Sequence, residues 1–221
     1  MRLITSVAAA LVLLSATPVP AQEWIDFVSR EDGFKVNFPS APKVTDTTYM
    51  SEYGAMLPAR VYQVARDHER YSVTVVDYRG IEKLLTEKSK QCPPFADERC
   101  TGIGAGAAVG FGYWKTDIRG VLVWASWQFM QRDAKVTEFI WNNIDLVEGY
   151  LLHLTNPDKS RTYVSIFMHA DKLYLGEATV PAGAPEPGLF QQALGWIDEN
   201  GRSIRYQTMY HHGQPTPPRA R

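Results

Sequence analysis

Cysteine is scarce in this chain, neither sign of charge is in surplus, and no apolar run long enough to span a bilayer occurs after residue 21. Two cysteines in 221 residues cannot form the disulfide scaffold on which small secreted domains rely. Lys plus Arg number 23 against 24 Asp plus Glu, so the basic surface that gathers phosphate backbones is missing, which argues against nucleic acid as a partner. The stretches after residue 21 fall short of the roughly 20 apolar residues a transmembrane helix needs. Catalytic signatures are missing too. There is no Gly-x-Ser-x-Gly, which would place a serine on a sharp strand-to-helix turn, and no His-Glu-x-x-His, which would put two metal ligands on one helix face.

What is present is the composition of one ordinary globular domain: 45% hydrophobic, 12% aromatic and 21% charged residues, with 14 Pro and 16 Gly. Residues 1–21 read as a secretory signal peptide, with Arg2, an apolar stretch over 3–14, and Val19 and Ala21 as small residues at the cleavage point. Cleavage there starts the mature chain at Gln22 and leaves 22 basic against 24 acidic residues, a net charge of −2. A domain of about 200 residues buries roughly 70% of its unfolded surface and needs no staple. The expected organisation is a single domain over 22–210 and a disordered tail over 211–221, in a periplasmic or secreted protein with no membrane span after cleavage.

Cys92 and Cys100 suit that compartment. They flank the turn-rich segment Cys92-Pro-Pro-Phe-Ala-Asp-Glu-Arg-Cys100, lack the Cys-x-x-Cys spacing of redox pairs, and are expected to form a structural disulfide. Along the chain, Phe34, Val36 and Phe38 alternate with Lys35 and Asn37, the period of a half-buried strand. Further strands are expected over 44–50, 59–66 and 71–78, then a short amphipathic helix over 81–90. Two apolar strands over 120–130 and 135–144 follow, then strands over 150–155, 163–169 and 173–180. Leu189, Phe190, Ala193, Leu194, Trp196 and Ile197 sit at helical spacing and predict a covering C-terminal helix over 189–198, with a last strand over 203–210. Gly102-x-Gly104-x-x-Ala107 formally matches a loose dinucleotide fingerprint, but a Pro-rich loop rather than a strand precedes it, so the glycines are read as a turn or close packing. No cofactor is called for.

The run Gly33-Phe34-Lys35-Val36-Asn37-Phe38-Pro39 with Pro42-Lys43-Val44 resembles the first strand of the PsbP-like and Mog-like α+β sandwiches. Residues 163–206, notably Pro185-Glu-Pro-Gly-Leu-Phe-Gln-Gln192 and Ile204-Arg-Tyr-Gln207, are similar to exported proteins of alphaproteobacteria. The first resemblance implies an antiparallel sheet with helices packed on it, in a fold whose members serve as extrinsic subunits or binding adaptors.

The chemistry-bearing residues are few. His169, His211 and His212 are weak metal candidates, since two strands would have to adjoin to unite them. The richest feature is aromatic: Tyr113, Trp114, Trp124, Trp127 and Trp141 fall within 29 residues. Tyr113, Trp114, Trp124 and Trp127 are the candidate ligand- or partner-binding residues, with Trp114 expected at the surface. The overall expectation is an α+β protein with a mostly antiparallel meander covered by one or two helices. It acts as a non-enzymatic binding or accessory module for a protein or envelope component. A carrier of a small apolar ligand, with its pocket between helix and sheet, is the alternative, and a hydrolase or metal enzyme the next. The sequence leaves the oligomeric state open.

Overall fold

The computed structural model describes residues 24–101 and 113–220; residues 1–21, read above as a signal peptide, and the glycine-rich segment 102–112 lie outside the described residues. The chain is α+β and mostly antiparallel sheet. A small sheet has the order β1-β2-β10, formed by Ile25–Ser29, Phe34–Phe38 and Gly195–Trp196. A large sheet has seven strands. Its first meander is β3 (Lys43–Met50), β4 (Met56–Arg66) and β5 (Glu69–Asp77). Its second is β6 (Lys135–Ile144), β7 (Val147–Thr155), β8 (Arg161–His169) and β9 (Lys172–Val180). The two meanders join where β5 pairs with β9, so the order is β3-β4-β5-β9-β8-β7-β6.

Among the described residues three helices link the meanders: α1 (Ile81–Lys90), α2 (Glu98–Thr101) and α3 (Tyr113–Met130). Helices α1 and α3 lie on one face of the large sheet, where Ile81, Leu85, Val121, Leu122, Ala125 and Phe129 meet Leu57, Val76, Leu152, Val164, Ile166 and Met168. The small sheet and the C-terminal segment cover the other face through Phe34, Val36, Phe38, Trp196, Tyr206 and Tyr210. Strands β8 and β9 lie under both layers, so nearly every residue of each is buried. Gly149 is required on β7 because a Cβ there would come within 2.3 Å of Ile166 O and the Phe167 ring.

Asp32 clamps the small sheet to the large one. It sits in the turn that ends at Gly33 (φ +72°). Its carboxylate takes Lys172 Nζ at 3.0 Å, Tyr62 OH at 2.6 Å and Arg60 at 3.2 Å, while its carbonyl accepts from Tyr174 OH at 2.6 Å. Trp196 is fully buried beneath, stacked on His169 at 4.9 Å, and its Nε1 donates to Ile144 O at 3.1 Å.

Several expectations are corrected. Residues 120–130 are the last turns of helix α3, not a strand. The buried set Asp117, Val121, Leu122, Ala125 and Phe129 has helical spacing, whereas the two apolar faces of the strand reading came from a run so rich in Val, Leu and Trp that any period finds apolar residues on it. The C-terminal helix stops after one turn, α4 (Gly188–Gln191), and Trp196 pairs as strand with Phe34. Its burial on the large sheet decides the conformation, and α1 and α3 provide the helical cover instead. Residues 203–210 make only isolated bridges, Ile197 to Ser203, Val147 to Tyr210 and Tyr206 to Arg219. The tail expected to be disordered is held there, since Gln207 N donates to Pro218 O at 2.9 Å and Ala220 N to Arg205 O at 2.7 Å.

Cys92 and Cys100 are joined, with their Cα atoms 5.8 Å apart, which ties α2 to the end of α1. Closing so short a loop contributes about 2.5 kcal/mol in the chain-entropy model. Replacing both cysteines by alanine is therefore expected to lower urea-unfolding stability by about that amount with an unchanged circular dichroism spectrum. Asp32→Ala strands Lys172 in a buried setting and should cost more, about 3 kcal/mol. A loss below about 1 kcal/mol would show that the clamp is relaxed by water.

Candidate functional site

Helix α3 carries the predicted aromatics but does not bring them all together. Trp114 packs partly buried against the core under α3, with Lys115 Nζ 5.2 Å from its ring centroid, so it is not the exposed aromatic that was expected. The Tyr113 side chain lies outside the described residues. Ten residues further on, about 15 Å along the axis, Trp124 and Trp127 stack with ring centroids 4.9 Å apart and planes at 20°. Trp124 is fixed by its Nε1–H, which donates to Met50 O at 3.1 Å on the end of β3. Trp127 stays 47% exposed and Val123, one turn earlier, 65%. An aromatic pair held rigid from below and open above has the character of an interface anchor, since little entropy remains to be lost on binding.

A second apolar surface lies on strand β6, at the end of the large sheet. Val136, Phe139, Ile140 and Trp141 are between 38% and 53% exposed. Phe139 and Trp141 point to the α3 face, and Ile140 to the other. Of these, only Trp141 stood out in the sequence; which strand forms the edge depends on the β5–β9 pairing, which local pattern does not encode.

The structure separates the three histidines put forward as metal ligands. His169 is buried, with its Nε2 2.7 Å from Tyr206 OH, and Trp196 and Tyr210 wall its ring. Burial, reinforced by the nearby Arg219 charge, pushes its pKa down to about 4. His211 and His212 meet on one carboxylate instead: His211 Nδ1 lies 2.6 Å from Glu148 Oε2, and His212 Nδ1 lies 3.4 Å from Oε1 without hydrogen-bond geometry. His212 Nε2 donates to Arg119 O at 3.1 Å. The pair thus pins the C-terminal segment to β7 and α3. Among the described residues no three His, Cys, Asp or Glu side chains converge as a metal cluster.

The nearest approach to acid–base geometry is one the sequence did not suggest. Glu138 orients His153 through Nδ1 at 2.7 Å, as a carboxylate orients a catalytic imidazole. Yet Nε2 is buried without a hydrogen-bond partner, and the Tyr163 ring packs on the imidazole at 4.6 Å, so no hydroxyl or thiol is presented to it. Ser40 and Lys43 have Ser-x-x-Lys spacing but lie exposed in the link into β3, without the helix turn that would bring amine to hydroxyl. The space between α3 and the sheet is filled by side chains. A cleft of about 880 Å³ lies elsewhere, between β1–β2 and β6–β7, and Lys35, Asn37, Asn142, Asn143, Asp145 and Arg205 make it polar, which does not suit an apolar ligand.

No protein-family model matches the chain, and no curated protein does. Among solved structures it is similar to the solution structure of the cyanobacterial PsbP (CyanoP) from Synechocystis. The match has 16% identity and a TM-score of 0.37 over 77% of this chain and 87% of that one. So distant a likeness carries no functional information.

Two buried groups titrate in opposite senses. Asp117 is fully buried and bonded to Ser51 Oγ at 2.5 Å and to Tyr53 N at 3.3 Å, and burial raises its pKa to about 6 against the favourable Ser51 bond. Between pH 6.5 and about 4 the unfolded chain binds a proton at His169 that the native state refuses, so stability falls as pH falls. Between about 6 and 3.8 the native state binds a proton at Asp117 that the unfolded chain releases, so stability rises as pH falls. Each effect is of order 3 kcal/mol, and they largely offset one another from about pH 6 to 4. Asp117→Asn, which keeps the acceptor for Ser51, should be more stable than wild type at pH 7.5 and lose stability more steeply on acidification. Urea titrations across that range check this, and parallel profiles would refute it.

Proposed function

We propose that the protein is a non-catalytic, extracytoplasmic docking module that binds a protein partner through the outer face of α3, with the Trp124–Trp127 stack as its anchor. The observation that carries this reading is the exposed stack itself. A Trp is costly to leave in water, and a pair fixed by the hydrogen bond to Met50 presents apolar area already ordered for burial. Trp is among the residues that dominate interface energies. The placement outside the cytoplasm rests on the signal-like residues 1–21 and on the disulfide.

A photo-cross-linking amino acid at position 127 tests the reading in the cell of origin. One discrete adduct, heavier than the protein by more than its own mass and not formed from position 83 on the outer face of α1, is the expected result. Trp124→Ala at the stacking partner should then reduce that adduct by roughly 30-fold or more, the effect of losing a hot spot of about 2 kcal/mol. No adduct from position 127, or the same adducts from both positions, would dismiss it.

A further inference from the structure

The two edges of the large sheet are built differently. Strand β3, on one edge, is Lys-Val-Thr-Asp-Thr-Thr-Tyr-Met. Its polar residues face water, Asp46 is tied to Arg60 at 3.1 Å, and Trp124 caps Met50 O at its end. That is how soluble proteins blunt an edge. Strand β6, on the other edge, is Lys-Val-Thr-Glu-Phe-Ile-Trp-Asn-Asn-Ile. It is ten residues long, with no Pro and only two charges, one of them drawn to His153. Its apolar side chains stand exposed on both faces, and among the described residues nothing pairs with its outer side. A long apolar edge of this kind leaves a row of backbone donors and acceptors ready to pair with another strand.

We infer that β6 pairs antiparallel with β6 of a second copy of this chain, about a two-fold axis through Ile140, joining two seven-stranded sheets edge to edge. The sequence of β6 complements itself in that register. A two-fold axis perpendicular to the sheet keeps each face continuous, so residues directly opposite must share a face; centring on Ile140 meets this condition. Phe139 then lies opposite the copy's Trp141 on the α3 face, an aromatic cross-strand pair on each side of the axis. Ile140 meets Ile140 on the other face, and Glu138 meets the copy's Asn142. The bulge between Val136 and Glu138 carries the register by one residue, so that Val136 meets the copy's Asn143 and Lys135 the copy's Ile144, next to Asp145. No like charges oppose, and opposite charges approach at both ends of the ribbon. Centring on Phe139 instead would set Glu138 against Ile140, and centring on Trp141 would set it against Ile144. A second copy is therefore the occupant that β6 fits.

Analytical ultracentrifugation of the mature, oxidised protein is expected to give twice the monomer mass. Ile140→Lys places two ammonium groups face to face on the axis and should return the protein to monomer with an unchanged circular dichroism spectrum. Val44→Lys on β3 should leave it dimeric. Because the native cysteines are already joined, single thiols report the register. Ile140→Cys on the axis should link the two copies through a short bis-maleimide. Val136→Cys, about 20 Å from its equivalent at roughly 3.4 Å per residue with the bulge taking up one step, should not. A monomeric wild type, whether its edge is bare or covered by residues 102–112 of the same chain, overturns the inference. Equal linking from positions 136 and 140 overturns it as well, since that is the behaviour of unspecific association. Neither result bears on the α3 face, which photo-cross-linking tests separately.

Discussion

The β5–β9 pairing is the constraint on which the rest of the architecture depends. It brings residues 70–77 against residues 172–179, and without it the chain is two separate meanders, each with one apolar face open. Once it forms, β9 and its neighbour β8 become interior strands under both layers, which accounts for their near-continuous burial and for the run Tyr163-Val164-Ser165-Ile166-Phe167-Met168, apolar but for Ser165. It also makes Lys172, the partner of Asp77 at one end of the ladder, available to Asp32. The small sheet docks where it does because the strand pairing has already placed that ammonium group, along with the Tyr174 hydroxyl, beneath the β1–β2 turn.

The sequence is legible where local pattern and tertiary burial agree. Strand β2 shows a clean alternation because one of its faces is covered and the other is not. The hairpins β4–β5, β7–β8 and β8–β9 show because their turns carry Asp, Asn and Pro at the reversals. Legibility fails where burial overrides spacing. Leu189 to Ile197 have the periodicity of a helix, yet Trp196 lies better as a strand residue on Phe34 with its indole N–H on Ile144 O. At residues 120–130 the failure has another origin: apolar residues are so dense that both periods fit them, and the arbiter is the seven residues before, where buried Asp117 and half-buried Trp114 and Ile118 extend the helical stripe. Of the site, the stacked Trp124 and Trp127 were legible as aromatic concentration, but the burial of Trp114 was not, because it follows from the helix being a helix.

The buried ionisable groups show a similar dependence on tertiary context. Nothing near His169 or Asp117 in sequence distinguishes them from their counterparts at the surface. His169 is held neutral because Trp196, Tyr206 and Tyr210 all come from the C-terminal segment that folds over it. Asp117 carries an unpartnered Oδ1, with the unpartnered hydroxyls of Tyr49 and Tyr78 close enough for all three to influence one another. Both groups oppose native stability at one end of the pH scale, so the fold tolerates each for the packing around it and not for its charge.

The exposure of β6 follows from simple dimensions. Six inter-strand spacings make the large sheet about 29 Å wide, while two helices side by side cover about 20 Å. Helix α3 lies over β7 and β8, the exposed Phe139 and Trp141 place β6 past it, and the small sheet on the opposite face is narrower still. An uncovered strand in a soluble protein is either made polar or paired. Strand β3 has taken the first course, with four Thr or Asp side chains in its eight residues. Strand β6 keeps Phe139, Ile140 and Trp141 at an edge where, among the described residues, nothing covers them. Packing among the described residues leaves the apolar character of those three unexplained, and the inferred pairing with a second copy accounts for it.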